Sequence, residues 1–114
     1  MAAPHMNFPA AVQRQALARQ RNLCASCGTR ISAPGEAGIA SHAYGERAEA
    51  HHVIPHKKGG PVTLENCVIL CRSCHYSVHQ GGSWRDASIY DDLDLLPMRV
   101  RIAKIAALYP HYDG

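Results

Sequence analysis

Aromatic side chains are scarce: the 114 residues include one Phe and one Trp. No apolar run is long enough to cross a membrane, and no secretory-type hydrophobic stretch stands at the start. The expected location is therefore the cytoplasm, with export by a machine that reads no such signal as the alternative. Strong charge of one sign is also missing. Twelve Lys and Arg face nine Asp and Glu, a formal net charge of +3, which permits nucleic acid as a partner without demanding it. The length fits one domain with a small core. A chain with few aromatics, nine Gly and seven Pro needs some other source of order, and it contains five Cys. Four of them form two C-x-x-C pairs, a pattern better suited to a metal site in a reducing compartment than to disulfides.

In chain order, Met1 to Phe8 reads as a disordered start. Pro9 is suited to the first turn of a helix, and the following AAVQRQALARQR is rich in helix formers, with Val12, Ala16 and Leu17 on a weak apolar face. Arg14, Arg19 and Arg21 read as a solvated helix surface, with phosphate contact as the alternative. Residues 31–47 lack clear periodicity and read as loop, and His42 in it is an ordinary histidine. EAHHVI at 49–54 reads as a short strand ended by Pro55, and CVIL at 67–70 as a buried one. A helix is expected from His75 to Gln80, stopped by Gly81 and Gly82. Trp84 is expected to pack on this module, and Asp91, Asp92 and Asp94 precede Pro97. From there Met98, Ile102, Ile105 and Tyr109 follow helical spacing and predict an amphipathic helix against the core. The divisions expected are an N-terminal arm and helix (1–22), a central module (23–82) and a helical extension packed on it (83–114).

Cys24, Cys27, Cys71 and Cys74 each sit in a pair on a tight turn, with Gly28 where the first turn must bend sharply. Four thiolates match a closed tetrahedral zinc site, which would clamp the chain between Leu23 and Cys74. Cys67 lies in an apolar run and reads as a buried free thiol.

The histidines suggest a second site. His75 and His79 are four apart on the predicted helix and share a side. His51 and His52 are neighbours on a strand and point to opposite faces. This divides their work: His51 joins His75 and His79 on an ion, while His52 stays unliganded and suited to general base work near neutral pH. Glu49 shares the strand parity of His51 and is placed to brace that ligand. A second structural zinc is the plainer alternative.

Taken together, Cys24 and Cys27, EAHHVIP at 49–55, Gly59-Gly60, Glu65-Asn66 and CRSCHYSVH at 71–79 resemble the HNH, or ββα-metal (His-Me finger), endonucleases, in the subset with two zinc-knuckle cysteine pairs. The E-x-H-H start and H-x-x-x-H finish are also similar to the nuclease domains of bacterial colicins and related polymorphic toxins. Many zinc-knuckle members carry Asp-His where this chain has His-His, and lysine where it has His79, so the chain blends two patterns. The resemblance implies a small α+β module with flanking helices. It assigns metal ligation to His51, His75 and His79, the general base to His52, loop ordering to Asn66 and the motif glutamate to Glu49.

The implied reaction is hydrolysis of DNA phosphodiester bonds to 5′-phosphate and 3′-hydroxyl ends. The implied cofactors are a structural Zn²⁺ on the cysteines and one catalytic divalent cation. Histidine-rich ligation suits Zn²⁺ or Ni²⁺ by ligand softness, while Mg²⁺ or Mn²⁺ serves many relatives. Lys57, Lys58, Arg72 and Arg47 are candidate phosphate contacts. With no added recognition element, double-stranded DNA read with weak sequence preference is the expected partner. Three competing readings stand beside this one: a non-catalytic zinc-dependent DNA-binding module, a toxin domain restrained by an immunity protein, and an interaction domain built on two zincs. A dimer contact through the last helix is the less favoured alternative to its packing on the core.

Overall fold

The computed structural model describes residues 8–32, 48–54, 62–80 and 97–114, with His79 and Gln80 placed only as part of a helix. His42, Arg47, Lys57, Lys58, Gly81, Gly82, Trp84, Asp91, Asp92 and Asp94 lie outside the described residues.

The first helix, α1, spans Ala10–Arg19 and is capped by Pro9. Proline suits that position because its missing N–H would have no partner inside the helix. Ala16 and Leu17 are buried and Val12 is partly so, as the apolar spacing predicts. The helix ends where Arg21 and Asn22 adopt left-handed backbone, with φ of 57° and 60°. That region carries a steric cost for non-glycine residues. The cost is offset here by backbone hydrogen bonds from Arg21 N–H to Ala18 O and from Asn22 N–H to Leu17 O, both 3.0 Å.

Two strands follow, β1 at Ala48–His52 and β2 at Cys67–Cys71, paired antiparallel with His51 opposite Val68 and His52 opposite Cys67. A short 3-10 turn, Leu64–Asn66, leads into β2. All five residues of β2 are buried, which explains why its sequence is an unbroken apolar run and not an alternation. Removing each large apolar side chain from water contributes roughly 1.5–3 kcal/mol, so Val68, Ile69 and Leu70 make β2 the centre of the core. The helix α2, Arg72–Gln80, leaves β2 directly and begins earlier than His75. Together β1, β2 and α2 form a ββα unit, and the whole is a small α+β module with flanking helices.

The last helix, α3, runs from Met98 to Leu108 behind Pro97. Ile105 and Tyr109 are buried and Ile102 packs against the core, but Met98 is 47% exposed. The expectation for Met98 fails because Pro97, Met98 and Arg99 are all exposed, so the apolar stripe meets the core only beyond the first turn.

Two other expectations are corrected. Phe8 is not part of a disordered start. It is 3% exposed and belongs to the core. Arg19 is not solvated, nor placed to meet phosphate. Its guanidinium donates to the carbonyls of Tyr112 (2.8 Å), Leu64 (3.0 Å) and Cys67 (2.7 Å) and lies 3.6 Å from the Tyr112 ring centre. Burial pulls its pKa below the usual value. Arg19 therefore ties α1, the turn before β2 and the C-terminal residues together. Gln20, fully buried, places its side-chain amide alongside β2. It accepts from Ile69 N–H and donates to Ile69 O, both at 2.9 Å.

Candidate metal centres

The sulfur centre forms where two turns meet. Around the first pair, Cys24 N–H donates to Thr29 O (2.8 Å), Gly28 N–H donates to Cys24 O (3.0 Å), and Leu23 bridges Arg30. Gly28 has φ of +78°, and a Cβ there would lie 2.6 Å from Nε2 of His111. The backbone conformation favours glycine, and a side chain there would also displace the His111 ring. The second pair uses a different device: Cys71 ends β2 and Cys74 lies in the first turn of α2, where the helix dipole favours negative charge.

All four Sγ atoms lie within 4.8 Å of one another. A tetrahedral zinc with bonds of about 2.3 Å sets its sulfurs roughly 3.8 Å apart, and Cys27 and Cys71 are separated by 3.9 Å. The cysteines thus fit a tetrahedral ion in number, donor type and spacing. Among the described residues they are the one group of three or more ligating side chains with donor atoms this close. Their protons are strongly interdependent. Hydrogen bonds from Cys71 and Cys74 push the Cys24 pKa down. Its bond to Cys24 pushes Cys71 up to about 11, and a separate bond to Cys24 raises Cys74. Such a cluster shares protons that a divalent cation would displace. Cys67 stands apart, with burial pushing its thiol up to about 12.

The nitrogen-rich centre lies on β1 and α2. Strand alternation puts Glu49 and His51 on one face of the sheet and His52 on the other. His51 is buried, and its ring meets that of His75 edge-on with centroids 5.2 Å apart. Tyr109 approaches the same ring, with centroids 6.4 Å apart. Glu49 does not brace His51, as its strand parity had implied. Its Oε1 lies 2.5 Å from Nδ1 of His75. Residues two apart on a strand are roughly 6.6 Å apart and nearly parallel, whereas α2 packs across the strand and brings His75 within reach. Paired with an ionised carboxylate, which only accepts hydrogen bonds, Nδ1 of His75 would be the nitrogen that carries the proton. In the neutral ring Nε2 then carries the lone pair that a metal needs. The side chain of His79 lies outside the described residues.

His52 is separated from this cluster and stacks on Phe8, with ring centroids 4.1 Å apart and an interplanar angle of 27°. Its Nε2 is shielded from solvent. Asn66 is buried and pairs with the backbone of Ile54, accepting from its N–H (2.8 Å) and donating to its carbonyl (3.1 Å). Val53 N–H donates to the Asn66 carbonyl at 3.1 Å. The asparagine thus fixes the end of β1 against the entry to β2. Arg72 is exposed at the start of α2.

Residues 24–81, just over half of the chain, match the protein family described as HNH endonuclease. The chain belongs to the HNH endonuclease family. By family it is a nuclease, and its four-cysteine cluster can ligate a metal. One stretch of 31 residues is 55% identical to the Type IV methyl-directed restriction enzyme EcoKMcrA of Escherichia coli, covering 27% of this HNH chain and 11% of that enzyme. Another, of 35 residues, is 43% identical to Anaredoxin of Nostoc sp., covering 31% of the chain and 46% of that protein. The HNH chain therefore spans about a tenth of one relative and less than half of the other. No described helix is long and apolar enough to cross a membrane.

Several residues that shape these centres escaped sequence reasoning. Phe8 and α1 lie before the family match, and α3 and the C-terminal turn lie after it. His111 packs on Gly28 and donates its N–H to Ala25 O (2.9 Å), and Tyr112 donates its hydroxyl to Glu65 O (2.8 Å). The only available signal was the apolar spacing ending at Tyr109, which marks a docked helix but not what its C-terminal turn touches.

Proposed function

We propose that this chain hydrolyses phosphodiester bonds in double-stranded DNA, leaving 5′-phosphate and 3′-hydroxyl ends. The observation that carries this reading is the cluster of His51, His75 and Glu49 on one face of the ββα unit. In this reading His51, His75 and His79 hold a divalent cation, which when bound supplies Lewis-acid stabilisation of charge on the phosphate. Glu49 orients His75. Asn66 holds the loop geometry through Ile54. His52 takes a proton from the attacking water, and because its Nε2 is shielded from solvent, that transfer is assigned to Nδ1. Lys57, Lys58, Arg47 and the exposed Arg72 hold neighbouring phosphates. The four cysteines hold a zinc whose role is to keep the module folded.

The printed name of the E. coli relative says that it is a methyl-directed restriction enzyme. That supports DNA as the substrate here, and the small share of it covered leaves methyl-direction out of the proposal. The combination of E-x-H-H and H-x-x-x-H supports a likeness to colicin-like toxin nucleases within this reading. Cytoplasmic action on DNA is part of the same reading.

Supercoiled plasmid incubated with Mg²⁺, Mn²⁺, Ni²⁺ or Zn²⁺ tests it. The wild-type chain is expected to nick or linearise the plasmid with at least one ion, and His52→Ala is expected to bind without cutting. Plasmid bound but never cut in any of these ions would replace the enzyme with a DNA-binding module. Growth arrest on expression, relieved by a co-expressed acidic partner, would specify the toxin role.

A further inference from the structure

The chemistry proposed for His52 requires one ring nitrogen to face water in a fixed direction. Imidazole rotates about its last side-chain bond with a broad, two-fold preference, so the strand alone does not fix the ring. Phe8 supplies a second surface. Its ring lies over the His52 ring at 4.1 Å and 27°, an offset-stacked geometry that is attractive for aromatic pairs.

Phe8 is itself held from both sides. It is 3% exposed, its carbonyl accepts from Nε2 of Gln13 at 2.8 Å, and the next residue, Pro9, caps α1. That helix is anchored to β2 by Ala16 and Leu17 in the core and by the two bonds between Gln20 and Ile69. The rigid path therefore runs from β2 through α1 to Phe8 and back to the end of β1. Phe8 also lies outside the segment matched by the family, so its contact with His52 is a feature of this chain's own arm.

We infer that Phe8 is a positioning residue for His52, fixing the plane of its imidazole by stacking and so confining the nitrogen that addresses the water to that plane. The inference rests on His52 being the general base. Its effect is on the chemical step and not on DNA binding, because Phe8 is buried and offers no surface to a phosphate backbone. Misplacing a reacting group by a fraction of its contact distance costs roughly ten- to a hundred-fold in turnover with little change in substrate binding.

The test compares Phe8→Leu, which keeps an apolar side chain and removes the aromatic plane, with Phe8→Tyr, which keeps the plane, and with His52→Ala, all in the full chain with the metal content of the wild type. Phe8→Leu is expected to melt as a folded protein, to lower kcat roughly ten-fold or more and to leave KM within about two-fold. Phe8→Tyr is expected to restore kcat. Proton NMR of the His52 ring gives a readout independent of cutting: its C–H resonances should be shifted upfield by the Phe8 ring current, and should move downfield in Phe8→Leu but not in Phe8→Tyr. Full kcat in Phe8→Leu beside an inactive His52→Ala would overturn the positioning role and leave the base assignment standing. Unmoved His52 resonances in Phe8→Leu would also overturn it. Full activity in His52→Ala would remove the base assignment itself, and the role of Phe8 with it.

Discussion

The four-cysteine cluster and the imidazole–carboxylate cluster are built from opposite materials. The sulfur centre uses four side chains of one type, drawn from two turns, with spacing that matches a tetrahedral ion. The nitrogen centre sets a buried imidazole against one braced by a carboxylate, and the braced pair stays in touch with solvent: the His75 side chain is 20% exposed and that of Glu49 is 43% exposed. A closed thiolate shell leaves an ion no position for water, whereas imidazoles with a supporting carboxylate are the usual setting for an ion that exchanges ligands. The difference teaches that one short ββα unit can hold a four-thiolate cluster where two turns meet and an imidazole–carboxylate cluster between β1 and α2.

The most severe way to break this comparison is Cys71→Ser. If the sulfur centre is a fastening, the variant forfeits metal-linked folding free energy on the order of 10 kcal/mol. It should then show no cooperative denaturant transition, and elemental analysis should find about one zinc fewer per chain. A variant that still melts cooperatively would show that the cysteines hold nothing essential. His75→Ala makes the complementary cut. It should leave the denaturant midpoint close to wild type while plasmid cleavage drops by roughly a hundred-fold or more. Loss of fold instead would make the nitrogen centre a second fastening. Glu49→Gln is subtler, because it keeps the shape and removes the charge that holds the His75 proton. Weaker binding of the activating cation by about 10- to 100-fold is expected, read as a higher metal concentration for half-maximal cutting. An unchanged metal requirement would detach Glu49 from the site.

The smallest effect concerns Cys67, the sulfur outside the cluster. Burial raises its pKa from 9.0 to about 12. A raised pKa in the folded chain means that its contribution is complete below 9.0 and is lost as pH climbs through about 12. Tyr112, raised from 10.0 to about 12 by burial, acts in the same direction. The denaturant midpoint should therefore fall on the alkaline side, and Cys67→Ala should flatten that fall. An identical slope in Cys67→Ala would show that the thiol does not titrate with unfolding.

Which parts of this fold could be read in advance follows from the range of the forces involved. Cysteine pairs, the apolar run of β2 and the spacing of His75 and His79 are local patterns, so their meaning survives without knowledge of the fold. The helix before Leu23 and the one after Pro97 were legible for the same reason. Arg19 and Gln20 were not. Their partners at Leu64, Cys67, Ile69 and Tyr112 are remote in sequence, and an arginine in the last turn of a polar helix normally faces water. Glu49 illustrates a partial success, since parity placed it on the correct face and only packing of α2 decided which histidine it meets. Phe8 failed because a single aromatic in a polar start carries no periodicity.

The sheet among the described residues has two strands, and sheet edges are places from which other chains can grow into fibrils. At the middle of β2 the outward N–H and C=O of Ile69 are already taken by the amide of Gln20, and Ala25 N–H also donates to the Ile69 carbonyl at 3.0 Å. A borrowed side chain thus imitates a third strand, and denies stray polypeptide a foothold on this buried apolar strand.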